Sequence, residues 1–338
     1  MKIACYGVRP IEEPYFRKLN KYNYTLKLIP EFLDEKNGVE AQDCDAVLVR
    51  GNCLANAKNL ELFASYGIKY VFTRTVGYNH VDLETANRLG IQVARVPNYS
   101  PYAVAELAMT LGMQLFRNTS IAIDNSKNGN FKVLPTLFSK EIHNSTVGII
   151  GIGKIGLAEA KLYKGMGTKV LAYDRHPSSE AQKVAECVDL DTLLEQSDIV
   201  SIHVPYFPGS NENMINKETF KKMKSSAVFV NTARGELVNT SDLIEALQNN
   251  EIKGYAADVF IDEKDIMNHV FESIEDLPNT EVRILAKLYP RVLLTPHIGS
   301  FTEPALEDMI SISFENFEET LKTGSNKNII KAPFVKLS

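Results

Sequence analysis

The feature that most constrains this chain is a glycine-rich turn, Gly151-Ile152-Gly153-Lys154-Ile155-Gly156. It follows the apolar, strand-like run Thr146–Ile150 and opens a helical pattern through Ala158, Ala160 and Leu162. In this context the first glycine permits a tight turn and the second lets a phosphate approach the backbone. The third glycine lets the helix pack closely on the strand. The turn therefore predicts a unit that binds a dinucleotide.

An acidic residue at the end of the next strand narrows the choice of dinucleotide. The run Lys169–Tyr173 ends at Asp174, which is eighteen residues after Gly156. A carboxylate there accepts hydrogen bonds from ribose hydroxyls and repels a 2′-phosphate, which favours NAD over NADP. Arg175 could soften that preference. The alternatives are a structural turn without a ligand and an S-adenosylmethionine site, which uses a similar turn.

Strand-like runs alternate with helical patterns along the chain, which predicts parallel βαβ units. The 338 residues suggest two domains. We predict that a cofactor domain, residues 101–299, is inserted into a first domain of residues 1–100 and 300–338. The predicted strands are residues 3–8, 46–49, 70–73, 91–94, 146–150, 169–173, 199–203, 227–231, 254–259 and 292–295. The predicted helices outside the turn region include residues 14–19, 56–64, 83–89, 101–124 and 303–323, and residues 261–291 are predicted to form an acidic loop with some helix.

Charge and cysteine content exclude several classes of partner. The net charge of −5 comes from interspersed acidic and basic residues without a basic stripe, so we predict no nucleic-acid partner. The four cysteines have no metal-like or paired spacing, which predicts reduced thiols and no metal site. The N-terminus resembles no signal peptide and no run is long enough to cross a membrane, so we expect a cytoplasmic protein.

Polar residues follow three further apolar runs, and buried strands rarely end this way without a function. They are Arg234 after residues 227–231, Asp258 and Glu263 after residues 254–257, and His297 after residues 292–295. The carboxyl ends of parallel strands converge on the ligand crevice, so these side chains should meet there. Reduction of a 2-keto acid needs a guanidinium for the carboxylate and ketone, an acid/base, and a carboxylate beside that base.

We assign these roles to three residues. Arg234 would grip the carboxylate, His297 would exchange the proton, and Glu263 would favour the protonated imidazole and fix its tautomer. The alternatives are a structural histidine and an arginine in a surface ion pair. For Asp258, support of the site and contact with a ligand are equally open.

Taken together, these motifs resemble the D-isomer-specific 2-hydroxyacid dehydrogenases over nearly the whole chain. The resemblance implies two doubly wound parallel-sheet domains: a flavodoxin-like substrate domain and an inserted Rossmann NAD-binding domain, with a cleft between them and usually a homodimer. It implies that Arg234, Glu263 and His297 are catalytic and that the amides of Val76 and Gly77 hold the substrate carboxylate. The implied cofactor-binding residues are Gly151, Gly153, Lys154, Ile155, Gly156, Asp174, Val204, Pro205, Asn211, Thr232, Ala233 and Asp258.

Within that family the chain resembles the branch of D-lactate, D-2-hydroxyisocaproate and (R)-2-hydroxyglutarate dehydrogenases. Arg9 and Arg50 follow strand ends, so either could meet a second carboxylate; pairing with local acids or with subunit neighbours is equally open. Tyr102, after Tyr99-Ser100-Pro101, and Phe301 depart from the usual residues of this branch and would reshape the pocket. The predicted function is hydride transfer between NAD(H) and a small 2-keto or D-2-hydroxy acid.

The rival hypothesis is an NAD(H)-sensing binding protein that has the same fold but lacks significant turnover. The arginine, glutamate and histidine together argue against it, because a sensor needs no acid/base.

Overall fold

The computed structural model describes residues 1–330, and residues 331–338, the end of the predicted first domain, lie outside the described part. The chain forms two compact units, one of Met1–Ser100 and Phe301–Ser338 and the other of Pro101–Ser300. The predicted break between residues 299 and 300 lies one residue before the break in the structure.

Residues 1–330 contain eleven strands and twelve α-helices. The strands are β1 (Lys2–Tyr6), β2 (Thr25–Ile29), β3 (Ala46–Val49), β4 (Tyr70–Thr73), β5 (Thr146–Ile150), β6 (Lys169–Tyr173), β7 (Glu186–Cys187), β8 (Ile199–Ile202), β9 (Val228–Asn231), β10 (Gly254–Ala257) and β11 (Val292–Leu294). The helices are α1 (Glu13–Leu19), α2 (Ala57–Ser65), α3 (Leu83–Arg88), α4 (Pro101–Phe116), α5 (Thr119–Lys127), α6 (Lys154–Gly165), α7 (Ser179–Val184), α8 (Leu190–Gln196), α9 (Lys217–Lys222), α10 (Thr240–Gln248), α11 (Thr280–Lys287) and α12 (Glu303–Thr323).

The first unit contains a parallel sheet in the order β2-β1-β3-β4. The strand β2 was not predicted, because Thr25-Leu26-Lys27-Leu28-Ile29 is an edge strand that is buried only at Ile29. The strand predicted over residues 91–94 is wrong as a continuous element. This segment hydrogen-bonds along β4, but it pairs only as isolated bridges at Gln92 and Ala94.

Helix α12 returns to the first unit and completes its core. Its Phe317 ring stacks on Phe72 of β4 with the ring centroids 4.4 Å apart, and Phe314 packs edge-on against Phe16 of α1. These four side chains are fully buried with Leu48 of β3 on one face of the sheet. Burial of such rings contributes about 2 kcal/mol each, so this helix stabilises the unit although it is distant in sequence.

The second unit contains a seven-stranded parallel sheet in the order β11-β10-β9-β8-β5-β6-β7. The strand order reverses between β5 and β8, which is where open α/β sheets form a ligand crevice at the carboxyl ends. The prediction of two parallel-sheet α/β domains is confirmed. Asp258 and Val259 lie beyond the end of β10, although the prediction included them in the strand.

The single helix predicted over residues 101–124 is wrong, because it is interrupted. Asn118 adopts a left-handed conformation with φ of 55° and separates α4 from α5. Asparagine tolerates this conformation better than most residues. Helix α4 buries eight of its residues, whereas α5 buries none within the chain. Among the described residues, no helix combines the length and the apolar character needed to cross a membrane.

Candidate active site

The glycine-rich turn joins β5 to α6 through contacts that exclude larger side chains. Gly151 has φ of 89°, and a Cβ there would lie 2.9 Å from the Val204 nitrogen. A Cβ on Gly156 would lie 2.1 Å from the Gly151 oxygen. A Cβ on Gly153 would meet no described atom within 4 Å, which leaves room over the turn. Lys154 and Ile155 form the first turn of α6, where amide groups favour an anion.

Asp174 is held beside this turn at the end of β6. Its Oδ2 accepts a hydrogen bond from the Ile152 amide at 3.0 Å, and its Oδ1 accepts one from the His176 amide at 2.8 Å. The carboxylate is therefore fixed next to the turn, while Arg175 is exposed. This placement fits the adenosine ribose of NAD.

The loops after β8 and β9 border the same sheet edge. Asn211 closes the first loop, because its amide donates to the Pro205 oxygen and its Oδ1 accepts from the Phe207 nitrogen, both at 2.7 Å. Thr232, after β9, buries a hydroxyl that has no hydrogen-bond partner in the described chain. A buried unsatisfied hydroxyl is costly, so a polar ligand group would suit it. These residues and the open glycine turn fit a dinucleotide.

Asn231 shapes the turn that carries Arg234. Its Oδ1 accepts from the Ala233 amide at 3.0 Å, and its amide donates to the Arg234 carbonyl at 2.8 Å. The next residue, Gly235, packs against the loop after β10, where a Cβ would lie 2.2 Å from the Phe260 carbonyl carbon. The turn with Arg234 is therefore pressed against the segment that leads to Glu263.

His297 and Glu263 form a direct pair, with His297 Nδ1 and Glu263 Oε1 2.7 Å apart. The His297 side chain remains 41% exposed. Burial is the largest influence on the His297 pKa and lowers it. The hydrogen bond and charge of Glu263, with the charge of Asp258, outweigh burial and the charge of Arg234, so the pKa of His297 is raised. The imidazole therefore favours the protonated form that a proton donor requires.

Asp258 fixes the loop that carries His297. Its carboxylate accepts hydrogen bonds from the Thr295 hydroxyl at 2.6 Å, the Ile298 amide at 2.9 Å and the Gly299 amide at 2.7 Å. Burial raises the pKa of Asp258, and the three hydrogen bonds oppose that rise. His297 has φ of 52°, an unfavourable conformation that the surrounding contacts must maintain.

In the first unit, the loop after β4 carries Val76 and Gly77. Arg95 donates to the Val76 oxygen at 3.0 Å, and the Thr75 hydroxyl donates to the Gly77 oxygen at 2.7 Å. The contacts of Arg95 and Thr75 engage carbonyl oxygens and therefore fix the orientation of the peptide groups of this loop. In the same loop, His80 Nε2 lies 3.0 Å from the Thr73 hydroxyl, and burial lowers the pKa of His80 to about 4.

Arg9 and Arg50 lie in a cationic cluster at the carboxyl edge of the first sheet. Arg74, also after a strand, is buried with Glu12, and their Nη2 and Oε2 atoms are 2.9 Å apart. The same Oε2 accepts from the Arg9 amide at 3.0 Å. Burial, followed by the charges of Arg74 and Arg9, lowers the pKa of Arg50 to about 10. Three guanidinium groups thus lie within the electrostatic influence of one carboxylate, which pairs directly with Arg74. Arg50 Nη1 is buried without a hydrogen-bond partner in the described chain.

The three predicted aromatic residues occupy different places. Phe301 belongs to the first unit, and its ring centroid lies 4.3 Å from the Arg9 guanidinium carbon. Tyr99 lies half-buried in the loop of the first unit that precedes α4. Tyr102 is exposed in the first turn of α4, in the second unit. The structure brings Phe301 to Arg9, a stacking contact that the sequence did not predict.

Sequence reasoning missed several residues that support the site. Arg74 could have been found, because a charged residue directly follows the apolar run Tyr70–Thr73. The bridging contacts of Asn231 and the partner of His203, which is Glu159, carry no sequence signal, since only folding brings those atoms together.

The chain is similar to known 2-hydroxyacid dehydrogenases over nearly its whole length. Residues 109–299 match the family model described as D-isomer specific 2-hydroxyacid dehydrogenase, NAD binding domain. The chain is 36% identical to a D-2-hydroxyacid dehydrogenase (NAD(+)) of Clostridioides difficile, covering 97% of this chain and 99% of the relative. It is also 36% identical to a D-lactate dehydrogenase of Lactiplantibacillus plantarum, covering 98% and 99%.

A solved structure is similar in fold as well as in sequence. It is the NAD-complexed D-isomer specific 2-hydroxyacid dehydrogenase from Lactobacillus delbrueckii ssp. bulgaricus, with a TM-score of 0.86 and 35% identity. The similarity covers 98% of this chain and 100% of that chain.

The Glu263–His297 pair predicts a change in pH dependence. The substitution Glu263→Gln removes the charge that raises the His297 pKa, so the protonated imidazole is lost at lower pH. The rate of keto-acid reduction should fall at lower pH than in the wild type, with a loss on the order of tenfold at alkaline pH. The measurement is kcat/KM against pH. Asp265→Asn, an exposed acid in the same turn, is the control and should leave the profile in place; an unmoved profile in Glu263→Gln would refute the pairing role.

Proposed function

The chain belongs to the family of D-isomer-specific 2-hydroxyacid dehydrogenases, and from this premise we propose how its residues perform the reaction. It is an NAD-dependent dehydrogenase that interconverts a 2-keto acid and a D-2-hydroxy acid. The observation that carries the proposed mechanism is the 2.7 Å contact between His297 and Glu263 on a loop fixed by Asp258. A sensor without turnover would not need that arrangement.

The second unit would hold the cofactor. NAD(H), when bound, accepts or supplies the hydride. We propose that the glycine-rich turn binds its pyrophosphate with Lys154 and Ile155, and that Asp174 binds the adenosine ribose. Beyond the turn, the proposed contacts of the cofactor are Val204, Pro205, Asn211, Thr232, Ala233 and Asp258.

His297 would move the proton. Nδ1 is engaged by Glu263, which leaves Nε2 to give a proton to the ketone oxygen during reduction and to take it from the hydroxyl during oxidation. Glu263 stabilises the protonated ring, and Asp258 keeps the loop in its left-handed conformation. The charge of Glu263 outweighs the effect of burial and keeps the pKa of His297 above its ordinary value.

Arg234 would bind the carboxylate of the substrate and polarise its ketone. A guanidinium can donate two parallel hydrogen bonds to a carboxylate, which a lysine cannot do. In the first unit, the amides of Val76 and Gly77 would bind a substrate carboxylate, supported by the contacts of Arg95 and Thr75 to their carbonyl oxygens.

The test of this function is the loss of NADH absorbance with the purified protein and a panel of keto acids. The panel is pyruvate, phenylpyruvate, 2-ketoisocaproate, oxaloacetate and 2-ketoglutarate. We expect turnover with at least one of them. Tight NADH binding without turnover on any of them would instead support the sensor hypothesis.

Two variants in the same assay separate the two halves of the mechanism. His297→Ala should lower kcat by about 100-fold or more, because it removes the proton donor, while NADH binding is retained. Asp174→Ala should reduce the preference for NADH over NADPH and leave the proton donor in place. Full activity of His297→Ala, or retained discrimination in Asp174→Ala, would contradict the respective role.

We further propose that the preferred substrate carries a second carboxylate, as in 2-ketoglutarate, and that Arg50 with Arg9 binds it; D-lactate is the alternative substrate. The supporting observation is the excess positive charge of the cluster around Glu12 and the buried Nη1 of Arg50. An anion would relieve the repulsion that lowers the Arg50 pKa. Phe301 would hold the Arg9 guanidinium by stacking, and Tyr99 and Tyr102 would border the acyl group.

Arg50→Gln is expected to change substrate preference. It should lower kcat/KM for 2-ketoglutarate by about tenfold or more, since an ion pair is lost, and change kcat/KM for pyruvate little. Arg234→Lys is the matched comparison, because it should weaken reduction of every keto acid. Equal losses on both substrates in Arg50→Gln would contradict a specific site for the second carboxylate.

We also propose a homodimer formed through α5 and the segment that follows it. Phe131, Val133 and Phe138 are 80%, 93% and 89% exposed, and α5 buries no residue within the chain. Such apolar exposure over one segment is typical of a protein–protein interface. The triple substitution of these residues by serine should shift the mass in analytical ultracentrifugation from dimer to monomer. The control is Val270→Ser, another fully exposed apolar residue; a wild-type monomer would refute the proposal.

The proposed location is the cytoplasm. All four cysteines are free thiols, and Cys5, Cys44 and Cys53 are buried in the first unit. Unpaired cysteines are typical of a reducing compartment.

A further inference from the structure

A buried acid–base pair lies behind the glycine-rich turn and has no part in the proposed chemistry. Glu159 on α6 and His203, the residue after β8, are in direct contact, with Oε2 and Nε2 2.5 Å apart. Both side chains are fully buried. The Ser201 hydroxyl lies 3.1 Å from the same Nε2. On the same helix, Ala158 and Ala160 are buried as well.

Stability alone does not explain this pair. Burying two titratable groups carries a large desolvation cost, and an apolar pair of similar volume is often as stable or more stable. The pair is also incompletely satisfied. Glu159 Oε1 and the hydroxyl of Tyr163, one turn further along α6, are buried without a hydrogen-bond partner in the described chain. A residue pair with these costs is better explained by the position that it enforces.

The pair links the two chain segments that frame the turn. Glu159 is on the helix that begins at Lys154, directly after the turn. His203 donates its amide to the Ile150 oxygen at 2.7 Å, at the end of β5. The peptide between His203 and Val204 packs on Gly151, where a Cβ would lie 3.0 Å from the His203 carbonyl carbon. A shift of the His203 side chain would therefore move the peptide against which the turn is closed.

We propose that Glu159 and His203 are positioning residues that hold the loop after β8 against the glycine-rich turn and thereby set the affinity for NAD(H). This inference rests on the proposed role of the turn in cofactor binding. A directional hydrogen bond fixes the orientation of the loop after β8 relative to α6. Apolar packing at the same place is non-directional and would permit the loop to shift along the helix. The pair does not contact the keto acid or exchange its proton.

The experiment uses the full-length protein and three variants: Glu159→Gln, Glu159→Leu and the double variant Glu159→Leu/His203→Leu. For each, the Kd of NADH is measured by fluorescence titration, Tm by calorimetry, and kcat at saturating NADH. Glu159→Leu should lower Tm and raise the Kd about tenfold, because it leaves His203 buried without its charged partner. Glu159→Gln retains a hydrogen-bond acceptor and should raise the Kd only about threefold.

The double variant separates positioning from stability. It should recover Tm toward the wild-type value because neither member of the pair is left buried without the other, yet its NADH Kd should stay about tenfold weaker. In all three variants kcat at saturating NADH should remain within about twofold of the wild type, because the residues act on binding alone.

A matched control measures the effect of lost stability by itself. Phe220→Leu removes packing in α9, at a fully buried position, and should lower Tm without changing the NADH Kd. Recovery of both Tm and NADH affinity in the double variant would overturn the proposal, as would an unchanged Kd in Glu159→Leu. If the wild type itself failed to bind NADH, the proposed function would fail instead, so the two failures are distinguishable.

Discussion

The site depends on one constraint of the second unit, which is that seven parallel strands end on the same edge. Parallel strands require helical crossovers, so each strand delivers its loop to that edge and each helix leads away from it. The residues assigned to cofactor and catalysis follow β5, β6, β8, β9, β10 and β11 within nine positions of the strand end. The strands themselves carry buried apolar side chains, so the chemistry is confined to the loops. This explains how residues separated by 146 positions, Gly151 and His297, can belong to one site.

Close backbone contacts then fix the loops relative to one another. Gly151 packs on the loop after β8, Gly156 packs on Gly151 itself, and Gly235 packs on the loop after β10. At each position a Cβ would lie within 3 Å of a backbone atom, so even alanine would force the loops apart. Side-chain hydrogen bonds also hold these loops. Asn231 donates to the carbonyl oxygen of Arg234, and Asp258 accepts from the amide of Ile298, the residue after His297. Preorganisation of this kind matters because groups that are already placed need no rearrangement when charge develops.

The sequence was sufficient for what depends on local pattern. Buried parallel strands are encoded as apolar runs, and four of the predicted strands agree with the structure at both ends. The glycine spacing predicted the position of the turn between β5 and α6. Polar residues after such runs led to the prediction that Arg234, Glu263 and His297 are catalytic. The sequence could not reveal properties that depend on tertiary contact, such as the left-handed Asn118 that divides α4 from α5. Nor could it reveal that Asp258 is engaged by three donors from another loop.

The distribution of charge within each unit favours the binding of an anion. In the second unit both carboxylates near His297 are held by local partners, Glu263 by the imidazole and Asp258 by three hydrogen-bond donors. Their oxygens are therefore directed to these partners, and the positive charge of Arg234 is left for an incoming anion. In the first unit the local charge is more positive, because the single carboxylate of Glu12 offsets the charge of only one of three neighbouring guanidinium groups. Since the attraction between opposite charges grows as the local dielectric falls, burial of Arg9 and Arg50 strengthens their preference for an anion even as it lowers their pKa values.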